Sequence, residues 1–304
     1  MLATAPSVTS PVYGLQSAEP KWFMVFRIVE RHVGTALALM LFPISWPLLW
    51  LFLVSYGIRI LGADAIYHRY FAHRTYRVGR PTQFLLAIIG TQSGQRGPLW
   101  WAATHRDHHR YVDTTRDPHS PTAHSIMHAA FRWFISTENV KTDLDAVTDL
   151  ARYPELRWIN RFYAIPFYGV AGLIFAAGAM GWLGPQISGW SALLWGFEVP
   201  ATLVLYVAAA INVLSHLPQL PGGYRRFDTP DKSTNRPLLG IISAGVGFHN
   251  NHHREAACAR CGFAWWELDV SYYFILILRL VGLAWGVRSK LPDEVHATRG
   301  PAPT

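Results

Sequence analysis

Nine of the fourteen histidines in this chain fall into a pattern that invites metal chemistry. They form a pair, His68 and His73; a triplet, His105, His108 and His109; a single His216; and a second triplet, His249, His252 and His253. Both triplets read His-x-x-His-His, and residues three and four apart share one face of a helix. Each triplet is therefore expected to aim three imidazoles at one point. The His-x4-His pair would sit apart around a regular helix, so it is expected at a helix end where the backbone turns. Neutral imidazole nitrogen suits iron, zinc, copper and nickel, and nine ligands exceed what one ion can hold. Two metals follow. A lone histidine in an apolar chain is usually a hydrogen-bonded core residue, but a repeated triplet beside a pair is poorly explained by packing alone.

The elements that must position these residues belong in a bilayer. Hydrophobic residues make up 51% of the 304 and charged residues 15%, too apolar for an ordinary soluble surface. The net charge of +8 lacks the basic cluster that a nucleic-acid binder needs, so no nucleic-acid partner is expected. The excess reads instead as charge on the cytoplasmic face and attraction to anionic headgroups of membrane lipid. Cys258 and Cys261 form a single Cys-x-x-Cys, which reads more simply as two ordinary thiols than as a redox or metal pair.

Residues 1–32 are expected to be a tail and pre-membrane segment, with residues 1–20, rich in Pro, Ser, Thr and Ala, disordered. Val33 to Ile58 carries no charge but contains Pro43 and Pro47. One kinked span would fit, as would a hairpin whose second helix runs from about Pro47 to Tyr67 with Arg59 and Asp64 inside it. Nothing between His73 and Phe162 is long enough to cross, and Phe84 to Ile89, between Pro81 and Gly94, reads as an amphipathic helix at the interface. Phe162 to Trp182 is uncharged and Trp190 to Leu214 holds one acid, Glu198; at about 1.5 Å per residue each can span about 30 Å of hydrocarbon. Two crossings return the chain to its starting side, so all nine histidines are expected on one face. His68 to Arg161 carries 13 Lys or Arg, whereas the Leu183 to Gly189 connection carries none, which places that face in the cytoplasm. Trp265 to about Val287 is expected to be a helix that could cross, although its Trp and Tyr content favours packing on the cytoplasmic cap or membrane surface, and residues 289–304 a C-terminal tail. The expected architecture is all-α: an integral membrane domain over residues 33–288, with about four transmembrane helices and a cytoplasmic helical cap holding the histidines.

Four stretches carry a resemblance. They are His68-Arg-Tyr-Phe-Ala-His73-Arg74, His105-Arg-Asp-His108-His109, Asn212-Val-Leu-Ser-His216 and Gly247-Phe-His249-Asn-Asn-His252-His253. From about Val33 to Val287 the sequence resembles the membrane fatty acid desaturases of the stearoyl-CoA type. The resemblance implies two iron ions held by the nine histidines, with Asn212 reaching a metal through water, O2 as co-substrate and electrons from an external donor. It also favours the hairpin over the kinked span. By the same resemblance Trp101 and Gln95 shape a kinked acyl tunnel, with Trp100 beside them. At several positions the chain departs from the family pattern. Ala208 stands where the family has a tunnel Thr, Arg96 where it has an Asn after the tunnel Gln, Ala103 and Thr104 where animal relatives hold a CoA headgroup with Arg and Asp, and Val246 where an acid is common. Arg69, Arg74, Arg77, Arg96, Arg106 and Arg110 are candidates to receive a CoA phosphate. Each liganding imidazole should have its second nitrogen fixed by a carboxylate, carbonyl or water, and Asp64, Asp107 and Asp113 are candidates for that role.

Removing hydrogen from an unactivated methylene needs an oxidant stronger than any side chain, so a cofactor must supply it. The protein's task is to choose one C–C bond among many alike by its depth in an apolar tunnel. The expected function is insertion of a cis double bond, by analogy at the ninth carbon, into a saturated acyl-CoA. An acyl-lipid desaturase or a hydroxylase on the same scaffold is the alternative. A metal transporter or sensor would require polar groups along the spans, against the uncharged Phe162 to Trp182. With no haem domain, flavin fingerprint or second Cys-x-x-Cys in the sequence, an external ferredoxin, rubredoxin or cytochrome b5 type of donor is expected, and the location is a cell inner membrane.

Overall fold

Prolines divide the apolar N-terminal run. In the computed structural model, which describes residues 20–136, 139–292 and 295, α1 (Lys21–Leu41) stops just before Pro43, a residue that cannot donate to a continuing helix. The long helix α2 (Trp46–Ala72) restarts with Pro47 in its first turn, where a missing N–H costs nothing. The run is thus a hairpin and not one kinked span. Both tails expected at the termini lie almost entirely outside the described residues.

The remaining helices are α3 (Arg80–Thr91), α4 (Pro98–Tyr111), α5 (Ile126–Ala130), α6 (Pro154–Arg161), α7 (Ala164–Ala179), α8 (Gly189–Leu214), α9 (Pro237–Ile242), α10 (His249–Arg254) and α11 (Val270–Leu280), with short helical turns between residues 132 and 151. Helices α2 and α8 are long and apolar enough to cross a membrane, and α6 with α7, bent by 65°, together make a third such segment. Among the about four crossings expected, α1 is the one short of that composition, because Arg27, Glu30 and Arg31 occupy its first half. Large apolar side chains stay exposed along α1, α2, α7 and α8, among them Leu39, Met40, Trp50, Val54 and Leu173. Trp46, Trp182 and Trp190 are exposed near the helix ends farthest along the chain from the histidines, as an aromatic belt would be.

The cap folds on the histidine-bearing end. Helix α3 buries Gln83, Leu86, Ala87 and Gly90 while exposing Phe84 and Leu85, the one-sided pattern of a helix lying at an interface. The main core joins Ile66, Tyr70 and Phe71 of α2, Leu86 of α3, Leu99 of α4, Leu156 of α6 and Ile275 of α11. The C-terminal helix is shorter than expected: residues 265–269 are a turn, and α11 covers only Val270–Leu280. The reason lies in two carboxylates. Glu267 accepts from the backbone of Phe263 and Ala264, and Asp269 accepts from Cys261, Gly262 and Tyr272, so both organise a loop and cap the helix that follows. Gly282, at φ +77, then turns the chain into a strand, Ala284–Trp285, paired antiparallel with Arg77–Val78 just beyond His73. Cys258 and Cys261 are buried and free.

Close approach of α3 to α2 depends on Gly90, where a Cβ would meet the Tyr67 ring at 2.2 Å. Gly90→Ala is expected to destabilise the protein by about 1–3 kcal/mol through overpacking. Gly169→Ala, whose Cβ would meet nothing within 4 Å, is expected to be neutral or to stabilise by up to about 1 kcal/mol through helix propensity. Thermal unfolding in detergent, monitored by intrinsic fluorescence, checks the contrast; equal midpoints for the two variants would contradict it.

Candidate metal centre

Winding brings the first pair together. The last part of α2, Gly62–Ala72, is a π-helix, and the His73 N–H donates to the His68 carbonyl at 3.1 Å. An i to i+5 closure of this kind puts two residues five apart on one side, so the His68 and His73 rings meet with centroids 4.8 Å apart. His73 is the helix's C-cap, as the spacing suggested, but the turning is done by the helix itself. Helix α4 carries His105, His108 and His109, α10 carries His249, His252 and His253, and His216 follows two residues after α8.

The nine rings sort into two groups. His68, His73, His105, His109 and His252 form one, and His108, His216, His249 and His253 the other; within each group the candidate ligand atoms all lie within 4.8 Å of one another. Neither triplet aims at a single point, contrary to the sequence expectation. At 3.6 residues per turn, positions i and i+4 differ by about 40° and position i+3 falls about 60° the other way. His105 with His109, and His249 with His253, therefore stay together, while His108 and His252 each cross to the opposite group. The groups adjoin where the His109 and His253 rings stack at 4.6 Å.

Within the groups, ring nitrogens face one another closely. Nε2 to Nε2 distances are 2.9 Å for His68–His252, His252–His109 and His73–His105, 3.0 Å for His105–His109, 2.9 Å for His249–His253 and 3.1 Å for His216–His249. Carboxylates hold the other nitrogen of four rings: Asp64 on His68 at 2.8 Å, Asp117 on His108 at 3.0 Å, Asp113 on His216 at 3.3 Å and Asp231 on His253 at 3.1 Å. A carboxylate there accepts a hydrogen bond from Nδ1–H, which keeps the proton on Nδ1 and leaves Nε2 as a lone pair. Facing lone pairs repel unless a cation lies between them. Metal–imidazole bonds of about 2.1 Å at right angles place neighbouring nitrogens about 3.0 Å apart, which matches the spacing found. The Nε2 of His108 is buried without a hydrogen-bond partner among the described residues, as a ligand atom awaiting a metal would be. The donor set therefore fits two transition-metal ions.

The electrostatics agree. Burial, and then the neighbouring imidazoles, push His105, His109, His249 and His252 well below the usual histidine range, which keeps them neutral. Burial alone would raise Asp113, but the hydrogen bond and charge of His216, with the Lys232 N–H and Ser120, hold it at about 2. Asp117 and Asp231 are likewise held below the usual carboxylate range against burial, by His108 and by His253.

Of the expected carboxylates, Asp64 and Asp113 each hold the Nδ1 of a clustered histidine, His68 and His216. Asp107 does not: it faces Arg110 at 3.7 Å on a half-exposed surface. Asp117 and Asp231 were missed, the first nine residues beyond His108 and the second on a distant loop, where no spacing points to the histidines. His119 was missed too. It is buried, stacks on His108 at 4.4 Å, forms a cluster with His108 and Asp117, and is pushed down to about 3 by burial and the nearby His108.

An apolar cavity opens on both groups. His68, His105, His108 and His249 line it together with Gln95, Trp100, Trp101, Ala208 and Asn212. The Trp101 ring stacks on His105 at 4.8 Å, and its indole N–H donates to Gln95 at 2.7 Å. The Asn212 amide donates to the Ala129 carbonyl at 3.3 Å. Thr104, Ala208 and Val246, three positions that depart from the resembled pattern, all line this space. Arg96 does not. With φ +65 it turns away, and its guanidinium binds the Val140 and Asn139 carbonyls and lies over Trp100. Arg69 is no phosphate receiver either, being buried between Asp64 and Asp269. Arg106 is paired with Asp149, while Arg77 and Arg110 remain exposed.

Comparison with known proteins agrees with this geometry. The family model for fatty acid desaturase matches residues 44–284. The chain is 32% identical to Delta-9 acyl-lipid desaturase 2 of Arabidopsis thaliana over 85% of its own length and 80% of the relative's. It is 30% identical to Acyl-CoA 5-desaturase AL21 of Anemone leveillei over 84% and 75% respectively. It is also 30% identical to sn-1 stearoyl-lipid 9-desaturase of Anabaena variabilis, over 90% and 95%. Spread over nearly all of the described membrane domain and its histidine groups, these matches establish that the chain belongs to the fatty acid desaturase family.

Proposed function

We propose that this chain is an O2-dependent di-iron desaturase that introduces a cis double bond into a fatty acyl chain. The observation that carries the reading is the pair of adjoining imidazole groups opening on one apolar cavity. The nine histidines would hold the two irons, with Asn212 acting through water. When bound, those irons would supply what no side chain has, the reduction of O2 with donor electrons to a species strong enough to oxidise an unactivated methylene.

The chain's own residues do the rest. Asp64, Asp113, Asp117 and Asp231 fix the ring tautomers and orientations, which in metal sites sustains affinity. The cavity's aliphatic wall receives a methylene chain and excludes water, while the Gln95–Trp101 hydrogen bond holds one side of it beside His105. Relatives named for acyl-CoA and for acyl-lipid substrates support a fatty acyl substrate, and two of those named above are 9-desaturases, which favours the ninth carbon. Electrons would come from an external carrier of ferredoxin, rubredoxin or cytochrome b5 type. The lysines and arginines around the histidines favour a cytoplasmic site in a cell inner membrane.

The deciding experiment incubates purified protein with a reducing system, O2, and panels of saturated acyl-CoAs and acyl lipids, and locates any double bond by mass spectrometry. One cis-monounsaturated product supports the reading; a hydroxylated product alone overturns it. His252→Ala, which removes a member of the five-histidine group, is expected to abolish turnover and to lower iron below two per chain by elemental analysis. Full activity in that variant would rule out a shared centre. Asp231→Asn is expected to weaken iron retention by about 10–100-fold, whereas Asp107→Asn should leave it unchanged; competition with a chelator reads both.

A further inference from the structure

A second cavity lies against the one beneath the histidines, and movement of the side chains between them would join the two as arms of one tunnel. This neighbouring cavity is lined by Gln95, Trp133, Ala208 and Asn212, which also line the first, so the two adjoin at these side chains, close to the Trp101 that donates to Gln95. Their far ends differ in chemistry. Beyond the shared wall, the first runs between α2 and α8 past Ile60, Val204 and Val207, all aliphatic. The second runs between α1 and α8 past Ile28, Leu205 and Ala209, and reaches Arg31.

Arg31 is 3% exposed, and its Nε is buried without a hydrogen-bond partner among the described residues. One of its terminal nitrogens donates to the Gly94 carbonyl at 3.2 Å, one residue before Gln95. A buried guanidinium N–H left unpaired is costly, and an acceptor entering this arm would relieve it. A long acyl chain offers one acceptor at a fixed distance from its methylenes, the carbonyl oxygen of the thioester or ester that joins it to its carrier.

Building on the desaturase reading, we propose that Arg31 binds the acyl carbonyl, so that the carboxyl end lies in the α1–α8 arm and the methyl end in the α2–α8 arm. Arg31 is then a specificity-determining residue: it fixes which carbon, counted from the carboxyl end, stands at the histidines. The interaction is common to an acyl-CoA thioester and a glycerolipid ester, and the substrate panel separates the two.

The test measures KM and double-bond position for wild type, Arg31→Leu, Arg31→Lys and Arg59→Leu, on acyl-CoAs and on acyl glycerolipids. Arg59 belongs to the same group of buried arginines and donates to the Gln92 carbonyl at 2.6 Å, but lines neither cavity. Arg31→Leu is expected to raise KM about tenfold and to spread the product over neighbouring positional isomers, with the carrier for which this occurs identifying the bound carbonyl. Arg31→Lys should restore most of the regioselectivity, and Arg59→Leu should lower thermal stability while giving a single isomer. Should Arg31→Leu fold poorly, Ala209→Phe, in the same arm, is expected to raise KM for every chain length alike. A shift of preference to shorter chains in that variant would place the methyl end there and overturn the assignment. An unchanged isomer and KM in folded Arg31→Leu overturns it as well. Wild type that forms no double bond on any substrate defeats the desaturase reading, and this assignment with it.

Discussion

Lone pairs brought nose to nose are the constraint on which this molecule turns. Nε2 atoms about 3 Å apart repel, and burial removes the water that would soften the repulsion. Protonating the rings is no escape, since the same burial disfavours charge on them. The fold therefore presses together more ring nitrogens than one tautomer set can pair as N–H to N hydrogen bonds, an arrangement that a metal cation would reconcile. The carboxylates at the rear of four rings commit those rings to the repulsive tautomer. Metal bound between these rings would stabilise the cap for this reason, as in other proteins where binding energy is part of folding energy.

The two-group arrangement also explains why the helices that carry the histidines are so different. A π-wound end of α2 compresses a five-residue spacing onto one side. The regular helices α4 and α10 each divide three histidines two and one. Because each lends one ring to the other's group, neither group of imidazoles could form without both helices in place. The shared ring stack of His109 and His253 lies at that junction.

Much of this was legible in the sequence, for physical reasons that also mark the limits. Residue type and clustering picked out the nine histidines, and long runs with little or no charge picked out most of α2, α7 and α8 as apolar segments. The proline pair allowed a hairpin without requiring one. Helical periodicity misled at the triplets, where three residues on roughly one face still diverge by about 100° at the extremes, enough to separate two metals. It also could not reveal the π-winding, because His68 and His73 look badly placed on an α-helix. Asp231 and Asp117 were illegible because orienting carboxylates are chosen by proximity in the fold and not by spacing along the chain. Arg96 was misjudged since the left-handed backbone that turns it away leaves no mark in composition. Trp265 to Val287 looked helical throughout because Glu267 and Asp269, which in fact bind loop amides, resemble the acidic opening turn of a helix.

The last of the nine clustered histidines is residue 253, but the apparatus that steadies the first of them, His68, continues beyond it. Arg69 reaches from Asp64, behind His68, to Asp269 and the Ala259 carbonyl, and the strand at Ala284–Trp285 clasps the segment just after His73. A chain cut after the final triplet would keep all nine clustered imidazoles and lose the buttress behind His68. The functional C-terminal boundary is thus set near residue 285 by mechanics, some thirty positions past the point where the coordinating chemistry ends.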